Sequence, residues 1–286
     1  DLPCTGGVST GTVTLTAAQG GPRGNDIRVV CEIVPAGTSA VAMTVALNGG
    51  SAATKADGRF GTDSATAGTG ADDFTAALAA VYGARYDFIV CACNDDTNRG
   101  LVKTHVNGAS DIAEGRRRAA FCGSIESSNS TVRADAAAAN HPRVQILRLK
   151  GAHNGTGEVA AAYAAAHIYG DGRLPGIAQY RDAKQNALQL APAIYAPEVT
   201  DYQTSTEQAA DLAAGVSPLA ASRINPGFAE VVRPVTTRTT ATSGATSYLV
   251  IDPSKVRVAD ETANRIEAFA GANYGDKNLT SNPSDP

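Results

Sequence analysis

The sequence is poor in the large side chains that usually dominate a hydrophobic core. Among its 286 residues there is no tryptophan, one methionine, and 5% aromatic residues. We therefore expect stability to come from many small aliphatic contacts, chiefly of Ala and Val, rather than from large aromatic anchors. The length still allows two ordinary domains with separate cores.

The sequence also lacks a positive charge excess and a long hydrophobic run. Its formal net charge is -4 at pH 7, whereas a nucleic-acid groove usually has a basic surplus. No apolar run approaches the ~20 residues that span a bilayer, and no basic-then-apolar signal opens the chain. We expect neither nucleic-acid binding nor membrane insertion. Because the sequence begins at Asp1 rather than Met, we expect a fragment or a processed product.

Cysteines are few and odd in number, which argues against a disulfide framework. Four of them lie in apolar, strand-like runs, where thiols are usually buried, so we expect folding in a reducing compartment. The five are Cys4, Cys31, Cys91, Cys93 and Cys122.

The sequence also lacks the glycine-rich motifs that bind phosphates, because neither GxGxxG nor GxxxxGK[ST] follows a predicted strand. The Gly-rich turn at 20–24 joins strands and offers no helix N-terminus, so we expect no cofactor.

The first seventy residues alternate with period two, as β-strands do. Strands are predicted at 10–17, 25–34 and 40–47, followed by a polar loop at 51–70. We expect a β-rich, mainly antiparallel subdomain over residues 1–70.

From residue 71 apolar strand-like runs alternate with helical patterns. This rhythm predicts an α/β domain over 71–239, whose mainly parallel sheet is covered by helices and whose strands are buried on both faces. The expected strands are 86–93, 117–125 and 144–149, and the expected helices are 74–81, 100–113, 131–139 and 157–169.

Residues 194–238 form a helix-strand-turn-strand pattern. Thr204 or Ser205 can cap the helix, Gln208 fits a capping box with Ser205, and Gly215 ends the helix. The stretch contains no His or Cys, and its charged side chains are expected to be solvated. The two strands are predicted at 216–221 and 228–235, around a turn at 225–227.

The remaining sequence predicts the start of a further α+β domain over 240–286. A polar tip at 236–247 precedes a strand at 248–251 and an amphipathic helix at 259–270, with Ile266 and Phe269 on one side. The tail from 271 has no core-forming pattern. The fold class is thus α/β (α+β overall), with a β-rich N-terminal subdomain.

Three clusters could carry chemistry, and each also has a plain packing interpretation. Cys91-Ala92-Cys93 could bind a metal or act in redox chemistry, but the spacing suits neither a redox motif nor a zinc site, so we favour packing. Cys122 could pair with a histidine as a nucleophile, although the four histidines are scattered and no orienting partner is evident. The histidines are His105, His141, His153 and His167.

The third cluster, Asn94-Asp95-Asp96, follows a predicted parallel strand at the end where ligands bind in open α/β sheets. We favour a capped, solvated loop there. The basic triplet Arg116-Arg117-Arg118 is either a solvated strand entrance, which we favour, or a surface facing acidic patches of a partner subunit. We therefore assign no catalytic, cofactor-binding or metal-binding residue. Three classes of function remain open: a structural assembly subunit, an enzyme with a dispersed site, and a small-ligand-binding module.

The order of several segments resembles the contractile tail-sheath proteins of bacteriophages and related injection machines. The resemblance covers nearly the whole chain, and its motifs are individually degenerate but specific in their order. The segments are GTVTLTAAQGGPRGNDI, RYDFIVCACND, GRRRAAFCGSI, HPRVQILRL, APEVTDYQTSTEQAADLAAGVSPL, FAEVVRPVTTR and SYLVIDPSKVRVADETANRIEAF.

The resemblance implies a non-enzymatic structural protein. Sheath subunits stack in six-fold rings around a tail tube on a baseplate, and their contraction drives the tube through a cell envelope. The implied partners are copies of this chain, a tube protein and a baseplate, and the implied location is a virion tail assembled in the bacterial host cytoplasm. Sheath subunits also link through terminal arms, but neither a full N-terminal arm nor a complete C-terminal domain is evident here. The alternative is an α/β hydrolase-like or small-ligand-binding protein.

Overall fold

The computed structural model describes the chain in eight ranges. It is a mixed α/β fold with antiparallel strand pairs, a mainly parallel five-stranded sheet and covering helices. The described residues are 4–9, 12–18, 27–32, 55–59, 73–92, 95–169, 194–222 and 227–274.

Two antiparallel strand pairs make up the described part of the N-terminal region. The expected strands at 10–17 and 25–34 are confirmed, whereas the predicted strand at 40–47 lies outside the described residues. The loop prediction for 51–70 is wrong at residues 55–59, since the segment KADGR pairs with a strand despite having no apolar alternation. The pairs are β1 (Cys4–Ser9) with β2 (Thr12–Ala17), and β3 (Arg28–Glu32) with β4 (Lys55–Arg59).

The main sheet has the strand order β5-β6-β7-β8-β9. The first four strands run parallel and the last is antiparallel, so the predicted parallel rhythm is confirmed. The strands are β5 (Phe88–Cys91), β6 (Ala119–Ser124), β7 (Val144–Arg148), β8 (Val216–Ala221) and β9 (Ala229–Val231).

Six helices accompany these strands in the described ranges. Each predicted helix exists, with bounds shifted by a few residues, and β9 is shorter than the predicted strand at 228–235. The helices are α1 (Thr75–Val81), α2 (Asp96–Ala109), α3 (Asn129–Ala139), α4 (Thr156–Tyr169), α5 (Ser205–Ala213) and α6 (Pro253–Tyr274), with a 3-10 turn at Val199–Asp201.

The two faces of the sheet bury separate apolar clusters. One face packs Val and Ala side chains against α2 and α3, around Val106 and Ile146. The other packs against α4, where the Phe121 ring lies 5.2 Å from Tyr163 and 5.3 Å from Phe88. The core is aliphatic, as expected, but this face does have an aromatic centre.

One strand of the sheet departs from the sequence prediction, and one glycine allows a close approach of a helix to the sheet. β5 lies at the sheet edge in the described structure and Val90 is 40% exposed, so burial of that strand on both faces was wrong, whereas β6 and β7 are almost completely buried. A Cβ at Gly123 would overlap the carbonyl oxygen of Thr156. This glycine therefore lets the start of α4 approach the backbone of β6.

The C-terminal part differs most from the prediction. Residues 248–251 form a turn rather than a strand, and Pro253 opens α6, because proline suits a first helical position. The helix continues to Tyr274, past the predicted end at 270. The expected polar tip is buried at its start, where the hydroxyl of Thr236 donates to the carbonyl oxygen of Val250 at 2.8 Å.

Candidate functional site

The carboxyl end of β5 is occupied by a helix cap. The Asp95 carboxylate accepts the backbone N–H of Asn98 at 2.8 Å and opens α2. The Asn98 side-chain oxygen in turn accepts the N–H of Phe74 at 3.0 Å. Partial burial alone would raise the pKa of Asp95, but the hydrogen bonds from Asn98 outweigh it and lower that pKa. The cap prediction is confirmed at Asp95, but the loop prediction is wrong at Asp96, which is the first residue of α2. Asn94 lies outside the described residues.

The described cysteines of the core are packing residues. Cys91 and Cys122 are paired in register across β5 and β6, are at most 1% exposed, and share the apolar cluster beneath α2 and α3. Cys93, the second thiol of the predicted pair, lies outside the described residues.

Histidines lie in separate surroundings. His141 Nδ1 accepts the N–H of Arg143 at 3.2 Å, and its Nε2 lies 3.3 Å from Asn107 Oδ1. Burial, assisted by nearby cations, lowers the pKa of His141 to about 4. His153 lies 3.9 Å from a glutamate carboxylate, and the side chain of His167 is outside the described part.

The basic triplet 116–118 has partners within the chain, so the favoured interpretation as a solvated strand entrance was wrong, while a contact with a partner subunit stays a prediction. Arg118 is 1% exposed, and its guanidinium donates to the carbonyl oxygens of Tyr82 and Ala84 at the end of α1. Its other terminal nitrogen contacts His105. Burial lowers the pKa of Arg118, and burial followed by the Arg118 charge lowers that of His105.

The other two arginines of the triplet hold neighbouring segments. Arg116 pairs with Glu114 and lies 5.0 Å over the ring of Tyr82. Arg117 donates to Asn264 at 2.7 Å and to the Glu267 carboxylate, both on α6. The three consecutive arginines before β6 therefore make contacts within the chain.

A buried charge framework joins β7, α3 and α5. Arg148 and Asp211 are both 0% exposed, and they pair at 2.9 Å. Asp211 also accepts from Arg133 Nε at 2.7 Å and from Gln203 at 2.7 Å. The prediction that the charges of 194–238 are solvated was therefore wrong at Asp211.

The guanidinium of Arg148 is held from several directions. It donates to the carbonyl oxygens of Glu126 at 3.1 Å and Ser127 at 3.0 Å, and to Asn129 Oδ1 at 2.7 Å. The first two acceptors lie in the loop after β6, and Asn129 is the first residue of α3. A buried ion pair satisfied by further hydrogen bonds fixes one arrangement of the elements that it joins.

The capping box of α5 extends the framework. It uses Thr204 and Glu207 rather than Ser205 and Gln208. Glu207 also accepts from Asn129 Nδ2 at 2.8 Å. This bond, with those from Thr204, lowers the pKa of Glu207 to about 2.

A second buried pair ties the amino half of α2 to α3. Arg99 lies 2.8 Å from Asp135 and 3.0 Å from Asp96, and both Arg99 and Asp135 are less than a tenth exposed. Burial raises the pKa of Asp135 despite the neighbouring Arg99.

Helix α6 docks on the amino end of the sheet through polar contacts. Arg143, just before β7, forms a two-pronged pair with Asp260, and Arg117 holds Glu267. Ile266 is 63% exposed and Phe269 is 62% exposed. The side of the helix that the sequence predicted as apolar thus faces outward, because the packing side is made by Asp260, Asn264 and Glu267.

A small pocket opens at the opposite, carboxyl end of the sheet. Its volume is about 170 Å³ and it lies beside the ends of β7 and β8. The lining includes Leu149, Lys150, Pro197, Asp201, Leu219 and Ala221. Lys150 lies 3.7 Å from Glu207, at the border of the charge framework.

The ionisable side chains described above act as caps and ion pairs between elements. In the eight described ranges, no group of three or more His, Cys, Asp and Glu side chains could hold a metal ion. None of the described helices is both long and apolar enough to cross a membrane.

Comparisons with known proteins give a structural neighbour. No family model and no curated protein matches the chain. Among solved structures, a sheath tail protein from Desulfitobacterium hafniense is similar. It is 20% identical, with a TM-score of 0.49, and the alignment covers 97% of this chain and 67% of that one.

Proposed function

We propose that this chain is a non-enzymatic subunit of a contractile tail sheath, a protein that assembles with copies of itself. The observation that carries the proposal is that segments resembling sheath proteins form adjacent strands of one sheet. FIVC, AAFCGS, VQILR and VSPLAA form consecutive neighbours of one sheet. The charge framework then fastens that sheet to α3 and α5.

The chemistry of the sheet ends supports a structural role over a hydrolase-like or ligand-binding one. Asp95, Asp96 and Asp211 all engage internal amides or guanidinium groups. The pocket of about 170 Å³ at the carboxyl end is smaller than the roughly 300–1,000 Å³ of ordinary small-ligand sites.

A sheet held to its helices by buried ion pairs suits a subunit that keeps its internal structure while its packing against neighbouring subunits changes. In this proposal copies stack in six-fold rings around a tail tube above a baseplate, in a virion tail assembled in the bacterial host cytoplasm. Contraction moves each subunit as a rigid body between two packings. The domains are 1–70, a β-rich subdomain; 71–239, the α/β core; and 240–286, the beginning of a C-terminal sheath domain.

The test is co-sedimentation of the full-length protein with tail tubes assembled from a tail-tube protein of the same source. We expect the protein to pellet with tubes and to coat them with regular transverse striations in electron micrographs. Protein that stays in the supernatant and leaves the tubes bare would refute the proposal. An unrelated soluble protein of similar charge serves as the control for trapping.

A further inference from the structure

Helix α1 lies on the surface of the described fold and is held at its two ends by polar contacts. None of its residues is fully buried. At its amino end, the side-chain oxygen of Asn98 accepts the N–H of Phe74 at 3.0 Å. At its carboxyl end, the guanidinium of Arg118 donates to the carbonyl oxygens of Tyr82 and Ala84. Because α1 buries so little of itself, these two contacts act as its anchors.

The anchor at the carboxyl end of α1 contains a histidine. Arg118 is 1% exposed and His105 is 7% exposed, and a terminal nitrogen of Arg118 contacts His105 Nε2. A guanidinium has donors only, so Nε2 is the acceptor and the imidazole is neutral in this contact. The ring of Tyr82 packs edge-on against the imidazole, with 5.5 Å between the ring centroids.

The charged groups that surround this histidine are cations. Arg118 contacts it directly, and Arg116 lies 5.0 Å over the ring of Tyr82. The other titratable groups beside the pair are the phenols of Tyr82 and Tyr86. On α2 itself the residues one turn away, at 101, 102, 108 and 109, are Leu, Val, Gly and Ala. Within the eight described ranges no carboxylate pairs with His105 or Arg118, so a proton on the imidazole finds no counter-charge there.

A proton on His105 turns this contact from attraction into repulsion. Both nitrogens of an imidazolium are donors, so Nε2 can no longer accept, and two cations then share one buried site. The backbone of Arg118 is fixed, because its N–H donates to the Ser110 hydroxyl at 3.0 Å and the next N–H, of Ala119, donates to Asp87 at 2.9 Å. The side that can move is the end of α1, which is held to this site through the Arg118 guanidinium.

We propose that protonation of His105 releases the carboxyl end of α1 from the sheet, while the contact with Asn98 holds its amino end. Helix α1 is then an acid-sensitive flap, and its opening uncovers the apolar cluster against which Leu78 packs. Burial, followed by the Arg118 charge, keeps the pKa of His105 below 6.5. The closed flap is therefore fully stable above pH 6.5, and below it the open fraction rises by at most about tenfold for each pH unit.

The test is amide hydrogen exchange of the full-length protein, measured by mass spectrometry at about pH 7.5 and about pH 5, with exchange times matched for the intrinsic effect of pH. We expect peptides that cover residues 75–85 to exchange at least about threefold faster at the lower pH. His105→Gln should remove this acceleration, because glutamine can accept from Arg118 at every pH. His141→Gln is the matched control, since His141 is also buried, at 8% exposed, but contacts Asn107 and not α1.

The variants separate release of the flap from a general loss of stability in acid. Acceleration that is lost in His105→Gln and kept in His141→Gln supports the flap. Acceleration that is equal in the wild type and His105→Gln, or that both variants remove, would overturn it. Tube coating tests the sheath proposal separately, so failure of either proposal leaves the other standing.

A second measurement uses the wild-type protein alone and does not depend on the folding of a variant. In an NMR titration, the imidazole of His105 and the amides of residues 78–85 should change with one common midpoint below pH 6.5. Amides that stay unchanged while His105 takes up its proton would overturn the flap. A His105 midpoint at or above pH 6.5 would do the same, because it would show that the closed flap does not oppose protonation.

Discussion

Replacement of Asp211 by asparagine should destabilise the fold strongly, because it removes the one carboxylate shared by Arg148 and Arg133. Asparagine keeps the shape of the side chain but leaves the fully buried Arg148 guanidinium without its counter-charge. Removal of one partner of a buried ion pair typically costs about 3–5 kcal/mol. The hydrogen bond from Gln203 can persist, so we expect the lower end of that range.

The magnitude is large enough to measure directly. A loss of about 3 kcal/mol corresponds to a fall in Tm of roughly 6–12 °C for a chain of this size. Urea unfolding followed by circular dichroism should show a lower midpoint with an unchanged slope. Asp111→Asn is the matched control, because Asp111 is exposed on a turn and should change stability by less than about 0.5 kcal/mol.

A compensating variant separates loss of charge balance from loss of packing. Replacement of both residues by apolar ones, Arg148→Met with Asp211→Leu, removes both buried charges and should recover part of the stability lost by Asp211→Asn. The recovery is partial because Arg133 and Gln203 lose their acceptor. If Asp211→Asn costs less than about 1 kcal/mol, the framework is not what holds α3 and α5 to the sheet. That result would refute the reasoning.

Three further predictions concern other parts of the fold. Asp260→Asn should speed amide hydrogen exchange in α6 while exchange in β6 and β7 stays unchanged, because the helix docks through that pair. Gly123→Ala should cost about 3 kcal/mol or more in thermal unfolding, since a Cβ there overlaps backbone, whereas Gly100→Ala, on an open helix surface, should gain about 0.5–1 kcal/mol. Burial lowers the pKa of His141 to about 4. Between that pKa and the ordinary value of 6.5, the imidazole is protonated in the unfolded chain and neutral in the native state. Stability should thus be complete above pH 6.5 and fall by about 2 kcal/mol between pH 7 and 5, a slope that His141→Gln should flatten.

The contrary outcomes are equally specific. Uniformly faster exchange across the sheet in Asp260→Asn would mean that α6 is part of the core. A stable Gly123→Ala variant would mean that α4 can retreat from β6. An identical pH slope in wild type and His141→Gln would assign that slope to other groups.

The central sheet was predictable because its strands are continuous apolar runs separated by helical patterns. AAFCGS and VQILR are buried across their length, and burial on both faces removes the need for alternation. β4 was missed because KADGR takes its strand form from pairing with β3. The strand conformation of this segment depends on its partner strand, and the local sequence gives little sign of it.

The charge framework was missed for a different reason. Asp211 stands between small apolar residues of α5, and Arg148 ends an apolar strand, so each residue interrupts an apolar pattern. Such interruptions are the signal that could have identified them, since a charge on a buried surface requires a partner. Sequence alone did not reveal that the two interruptions, 63 residues apart, meet.

The orientation of α6 reversed the expectation for Ile266 and Phe269. Amphipathic patterning assumes that the apolar side packs inward, whereas Arg143 and Arg117 here select the carboxylate side. The arginines that make this choice belong to other segments, so the helix's own sequence could not indicate it.

The most direct test of the central claim is electron microscopy of the purified full-length protein across protein concentration and ionic strength. The account predicts rings or helical tubes of regular repeat, built from copies of this chain. Dispersed monomers under every condition would contradict it.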